Sequence, residues 1–188
     1  RSAVFAHNST DSALAYLSAL HAGVSSVPVN FHLTADEVAY ILEDSAAPLV
    51  FVGPETAEAG VEAAKRAGIE LVIGWRCDGV AGVASWDDWL AAASDTEPPT
   101  GMKPLPHMHY TSGTTGRPKG TETPPNMFPR EPDVAGLFRV LRATVAAGAP
   151  GPALLVGPAY HTGPLGSIRQ WGGGRPLVVM PKFDAEQI

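Results

Sequence analysis

With one cysteine, Cys77, in 188 residues, the chain has no internal disulfide and no thiolate metal cluster, a composition that suits a reducing compartment. No apolar run approaches the roughly 20 residues that a helical membrane span requires. Basic residues are scarce: 13 Lys and Arg stand against 19 Asp and Glu, for a net charge of −6. That balance leaves no basic face for a nucleic-acid backbone. Internal repeats and low-complexity tracts are missing, and no feature specifies an oligomeric state. There is no signal peptide and no initiator methionine, since Arg1 leads straight into an apolar segment; the start reads as a piece of something longer. The expectation is a cytoplasmic protein, with peripheral attachment to a membrane left open.

What the chain does have is 45% hydrophobic and 17% charged residues, enough for a folded core. SAVFAHN reads as a buried strand that runs into the capping cluster Asn8-Ser9-Thr10. Ala13, Leu14, Leu17 and Leu20 keep helical spacing until Gly23. VSSVPVN is a second strand, and Thr34 with Glu37 forms a capping box ahead of Val38, Ile41 and Leu42. PLVFVG, a helix over 55–67 and IELVIG follow. Alternation of strand and helix along 2–74 predicts an α/β fold with a parallel sheet covered on both faces.

The rhythm breaks over 75–105. SWDDWLAAAS reads as a short helix capped by Ser85, and DTEPPTGMKPLP as a linker. HMHYT returns to a strand. After a proline-rich stretch at 124–132, Val134, Leu137, Phe138, Leu141 and Val145 mark an amphipathic helix. ALLVG, a short helix over 164–171 and PLVVMP complete the pattern. The division expected is a first α/β subdomain over 1–123 and the beginning of a second over 124–188.

The stretch YTSGTTGRPKG at 110–120 concentrates hydroxyls (Thr111, Ser112, Thr114, Thr115), glycines (Gly113, Gly116, Gly120) and cations (Arg117, Lys119). Glycines let successive N–H groups approach one anion, while hydroxyls and cations add donors and charge, which is the inventory for a polyphosphate. A flexible Gly/Thr turn is the plain alternative. The P-loop of NTPases fails at two positions, because Pro118 precedes Lys119 and Gly120 follows it.

TSGTTGRPKG resembles the phosphate-binding signature of the adenylate-forming superfamily, which comprises acyl-CoA synthetases, peptide-synthetase adenylation domains and luciferases. The resemblance extends through AYLSALHAGVSSVPVNFHLTADEVAYILEDSAAPLVFVG, the carboxylate-pocket motif PAYHTGPLG and the ending VVMPKFDAEQI, in the family's order. It implies the layered α/β subdomains of the large N-terminal domain, truncated, and a two-step reaction. ATP and a carboxylate give an acyl-adenylate and pyrophosphate, with Mg²⁺ offsetting phosphate charge; the acyl group then passes to coenzyme A. Under that resemblance Thr111, Ser112, Gly113, Thr114, Thr115 and Gly116 hold the β- and γ-phosphates, with Thr111 also at the metal. Arg117 and Lys119 add charge and anchor the loop. His161, the catalytic candidate, lines the acyl-carboxylate site with Tyr160 and Gly163. An ordinary loop histidine before a Gly-Pro turn is the bland alternative for His161.

The family's adenine, ribose and hinge motifs and its catalytic lysine do not occur in this sequence. The chain alone is therefore expected to be inactive and to bind Mg-ATP no tighter than millimolar, about −4 kcal/mol. TETPPNMFPREP also departs from the family, because its prolines burden the next helix's first turn. QWGGGRPL suggests a loose helix end. The VPVN strand, YHTGPLG and MPKFD favour a fatty-acid CoA ligase. Rivals are an amino-acid or aryl-acid adenylation domain loading a carrier protein, and a non-catalytic nucleotide-binding pseudoenzyme. His107 and His109 alternate on one face, with packing favoured over metal ligation. Trp75, Trp86, Trp89 and Trp171 read as core or subdomain contacts.

Overall fold

A computed structural model describes residues 1–99, 101–111, 117–123, 130–182, 184 and 186. Its centre is a parallel sheet of β1 (Ser2–Phe5), β2 (Ser26–Val29), β3 (Leu49–Val52), β4 (Leu71–Gly74) and β5 (Ala84–Ser85), in the order β2-β1-β3-β4-β5. Between them run α1 (Thr10–His21), α2 (Ala35–Ser45) and α3 (Ala57–Arg66), and α4 (Trp86–Ala91) follows β5. The short β5 has no signature of its own and was not expected. Pro28 removes one backbone donor from β2, which the sheet tolerates because β2 is its terminal strand.

Strand side chains point alternately to opposite faces. Ala3, Phe5, Val27, Val29, Val50 and Val52 accordingly pack with Val38, Ile41 and Leu42 of α2 and Ala63 and Ala64 of α3. Val4, Phe51 and Ile73 face the other way, into a layer with Ala13 and Tyr16 of α1 and with Trp75 and Trp86. Both faces are covered, so the strands read as continuous apolar runs. Local signals set the helix starts. Ser9 caps α1 and exchanges hydrogen bonds with Ser12, and Thr34 caps α2 in a reciprocal box with Glu37. Trp75 and Trp86 are buried and Trp171 packs partly against the same layer, whereas Trp89 is 38% exposed. Trp89 stacks on Trp86 at 5.7 Å, at the rim of the core rather than within it.

Two further units complete the described structure. Strands β6 (Met108–Thr111) and β7 (Lys119–Glu122) form an antiparallel pair, Thr111 opposite Lys119 and Tyr110 opposite Gly120. Then α5 (Val134–Ala147), β8 (Ala153–Leu155), α6 (Thr162–Gly172) and β9 (Leu177–Val179) follow, with β8 and β9 parallel in a separate sheet. Asp133 caps α5 by accepting from Gly136 N–H at 2.7 Å. Pro132 therefore precedes the helix, and the sequence's burdened first turn is avoided by a later start. Residues 124–129 lie outside the described residues.

The glycine run at the end of α6 corrects the expected loose cap. A Cβ on Gly172 would lie 2.7 Å from Leu17 Cδ1, and one on Gly173 would lie 2.6 Å from the Leu141 carbonyl oxygen. Gly174 takes φ +97, a conformation side chains resist. The run is a close-packed junction of α6 with α1 and α5.

Candidate functional site

The hairpin of β6 and β7 carries the described part of the expected phosphate signature. Thr111 ends β6 with its side chain exposed, and Arg117 and Lys119 are exposed on the return strand side. Ser112, Gly113, Thr114, Thr115 and Gly116 lie outside the described residues. Gly120 sits opposite Tyr110, and a Cβ there would meet Met108 Cε at 2.2 Å and the Tyr110 ring at 3.1 Å. Its lack of a side chain lets the Tyr110 ring cross the hairpin and reach α2. There the Tyr110 phenol donates to Asp44 Oδ2 at 2.6 Å, and Tyr40 donates to the Pro118 carbonyl at 3.1 Å. The Arg117 guanidinium lies 5.2 Å over the Tyr40 ring, which leaves its charge in solvent while its plane is held. Burial, then the bond to Asp44, pushes the Tyr110 phenol up.

The second component is the turn between β8 and α6. His161 occupies the N-cap of α6 but makes no side-chain cap bond. The first helical amides, Thr162 and Gly163, precede Pro164, which has no N–H; with the cap unfilled, this end can receive an anion. His161 is exposed, and a Cβ on Gly163 would meet no described atom within 4 Å. Tyr160 lies 4.5 Å from His161 and 5.3 Å from Phe31, whose ring lies 4.0 Å from His7. These rings line the carboxyl edge of the sheet, where α/β folds place ligands. A cavity of about 340 Å³ opens at the same edge, lined among others by His7, Asn8, Trp75 and Arg76.

The two components adjoin at His109 on β6, near the Tyr160 backbone carbonyl that favours its protonated ring. His109 and His107 are buried, their rings 6.2 Å apart and near perpendicular. Burial, reinforced by the Arg169 charge and by His109, pushes the His107 imidazole down to about 3. Burial also lowers His109, against the pull of the Tyr160 carbonyl. His107 Nδ1 and His109 Nε2 have no hydrogen-bond partner among the described residues. No cluster of three metal-ligating side chains occurs among those residues. Both histidines are buried. Cys77 is held protonated: burial first, then Asp78 and Glu55, push its thiol up, and its Sγ donates to the Trp75 carbonyl at 3.2 Å. No described helix is long and apolar enough to cross a membrane.

The structure thus brings the strand bearing Thr111 beside Tyr160, with His161 and Gly163 following it. Sequence reasoning missed Asn8, Phe31, Tyr40, Asp44 and the place of His109 near Tyr160. Only Asn8 had a local signal, as one of a capping cluster, and the structure gives that cap to Ser9 instead.

The AMP-binding enzyme family matches residues 1–124. The fatty acid–[acyl-carrier-protein] ligase ScoC of Streptomyces coeruleorubidus is 33% identical over 177 residues, which are 88% of this chain and 31% of that protein. The long-chain-fatty-acid–CoA ligase FadD13 of Mycobacterium tuberculosis is 30% identical across 100% of this chain and 36% of the ligase. The chain therefore spans about a third of the length of these relatives. In three dimensions it is similar to the N-terminal domain of FACL13 from Mycobacterium tuberculosis, with a TM-score of 0.71 at 23% identity, covering 98% of this chain and 44% of that one. At that identity the likeness is one of fold.

Proposed function

The chain belongs to the AMP-binding enzyme family, and from that premise we propose that the protein carrying it is a fatty-acid–CoA ligase. The observation that carries the reading is the unfilled N-cap of α6 at His161, a helix end suited to an anion, together with a hairpin that exposes the Thr111 hydroxyl and the Arg117 and Lys119 cations. The division at residue 123 belongs to the same proposal, supported by the separation of the β8–β9 sheet from the five-stranded one.

In this reading the carboxylate attacks the α-phosphorus of ATP, and the bond to the β-phosphate breaks to release pyrophosphate. The thiol of coenzyme A then takes the acyl group and AMP leaves. Arg117 and Lys119 hold phosphate charge at the hairpin, and the Thr111 hydroxyl donates beside them. Ser112 to Gly116 complete the phosphate cradle as proposed from their sequence. Bound Mg²⁺ supplies offsetting charge, with Thr111 the residue here suited to face it. His161 and the Thr162 and Gly163 amides orient the carboxylate, and Tyr160 backs the pocket. Such a step draws on positioning and electrostatics rather than on a protein nucleophile.

Pyrophosphate release from Mg-ATP by the full-length protein, over a panel of fatty, aryl and amino acids, tests the reading. Release with fatty acids that falls by about 10²-fold in Lys119→Ala and Thr114→Ala is expected, the scale of one lost oxyanion donor. Silence with every acid would overturn it. The 33% identity to a ligase named for an acyl-carrier protein favours one second reading, in which that protein replaces coenzyme A as acceptor. Thioester formation with each acceptor separates the two.

A further inference from the structure

Asn8 lies just beyond β1, and only 5% of it is exposed. Its Nδ2 donates to the Gly157 carbonyl at 2.8 Å and to the Met180 carbonyl at 3.2 Å, while its Oδ1 accepts from Ala159 N–H at 2.9 Å. An asparagine amide has two donors, and both are spent on backbone 149 and 172 residues away. Asparagine beside a helix start ordinarily serves its own chain turn as a cap. Here Ser9 takes the cap of α1, which leaves Asn8 wholly engaged elsewhere. Gly157 and Ala159 lie in the turn that leads to His161, and Met180, just past β9, donates from its N–H to the Leu155 carbonyl ahead of that turn. Phe31 lies against the ring of Tyr160 in the same turn, 5.3 Å between centroids.

We infer that Asn8 is a positioning residue for the carboxylate half of the reaction. It fixes the 157–160 turn, and with it His161 and the first amides of α6, relative to the sheet and to the strand that carries Thr111. The inference rests on the ligase reading above. The turn has no regular hydrogen-bonding ladder over 156–159, so the Asn8 bonds set its place together with the His161 N–H to Pro158 carbonyl bond and the burial of Ala159. A displacement of about 1 Å at reacting groups costs on the order of 10²-fold in rate. The phosphate end of the hairpin is held from α2, at Tyr110 and Pro118, and by the packing of β6 on β2, and none of these bonds involves Asn8.

The two halves therefore separate in kinetics. In the full-length protein, Asn8→Ala and Asn8→Asp are compared with wild type, each assayed well below its own melting temperature. The carboxylate KM is expected to rise about 10-fold or more and kcat to fall, with the ATP KM moving less than about 2-fold, the signature of misplaced acid rather than lost nucleotide binding. Asn8→Asp adds a signature that a purely structural role lacks. Its buried carboxyl takes up a proton on acidification and regains one donor, so its carboxylate KM moves back toward wild type relative to Asn8→Ala. Should Asn8→Ala not fold, Asn8→Ser, which keeps a shorter hydroxyl donor, takes its place. Equal rises in both KM values, or a defect that disappears on cooling with the folded fraction, would overturn the inference. So would variants that match wild type. A wild type silent with every carboxylate removes the ligase reading and this inference together, whereas an active wild type with unaltered variants removes this inference alone.

Discussion

The phenol of Tyr110 on β6 donates to Asp44 on α2 at 2.6 Å, and one turn earlier on the same helix Tyr40 donates to the Pro118 carbonyl at 3.1 Å. One helix therefore holds both flanks of residues 112–116. An isolated two-stranded hairpin is marginal in water, so β6 and β7 depend on such outside contacts. A bond to a charged acceptor is worth about 1.5–3 kcal/mol when shielded; Asp44 is exposed, which lowers the expectation to about 1 kcal/mol. Tyr110→Phe and Asp44→Ala, singly and together, are expected to show a coupling of that size in urea unfolding. Additive losses would mean that the bond contributes nothing.

Gly120→Ala tests why the signature ends in glycine. The new Cβ would meet Met108 Cε at 2.2 Å and the Tyr110 ring at 3.1 Å. The methionine end can swing away, but the ring is fixed by Asp44. Overpacking of this kind costs about 1–3 kcal/mol, and a loss of about 1.5 kcal/mol is expected by denaturant midpoint. The double variant Gly120→Ala with Tyr110→Ala should recover part of that loss relative to Tyr110→Ala alone. A neutral Gly120→Ala would move the reason for this glycine elsewhere.

Much of the fold was legible because its signals are local. The Thr34–Glu37 box, the Ser85 cap and the alternation of apolar runs with helical periods each act within a few residues. Which face each strand buries was not legible, since Ala3 and Val4 are both fully buried on opposite faces. Strand β7 was missed because KGTE carries no apolar alternation; its pairing with β6 makes it a strand. The glycine run at 172–174 was read as looseness because its reason lies in Leu17 and Leu141, on other helices. At the candidate site, sequence order nominated His161 and the hairpin residues. The partners of Asn8 are remote in sequence, and no local pattern encodes them.

Stability should fall on acidification, through His107. Its ring faces Tyr16, His109 and the Arg169 charge. Its folded value of about 3 lies below the ordinary 6.5, so between those values the unfolded chain binds the proton and the folded chain does not. Stability is then complete above about pH 6.5 and is lost as pH falls toward 3, at about 1.4 kcal/mol per unit. From pH 7 to 5.5 the expected loss is about 1.4 kcal/mol, with His109 adding in the same direction. Urea unfolding at both values measures it. His107→Leu, whatever its own cost, should reduce the slope, and an unchanged slope would assign the acid sensitivity to other groups.

Gly163 offers a separation of stability from function. It lies in the first turn of α6, and a Cβ there would meet no described atom within 4 Å. Glycine inside a helix costs about 0.5–1 kcal/mol relative to alanine, less toward an end, so Gly163→Ala should stabilise by about 0.5 kcal/mol. No packing need in the described structure explains a glycine here. Under the proposed ligase reading an approaching carboxylate would, because its oxygen would come close to the Gly163 amide from the side a Cβ narrows. Gly163→Ala should then raise the carboxylate KM by about 10-fold, or roughly 1.4 kcal/mol, and Gly163→Val further, with the ATP KM unchanged. The combination of a more stable protein with a weaker grip on acid is what a substrate-facing glycine gives and a structural one does not. A more stable Gly163→Ala with unaltered carboxylate KM would remove Gly163 from the pocket while leaving His161 and the Thr162 amide in it.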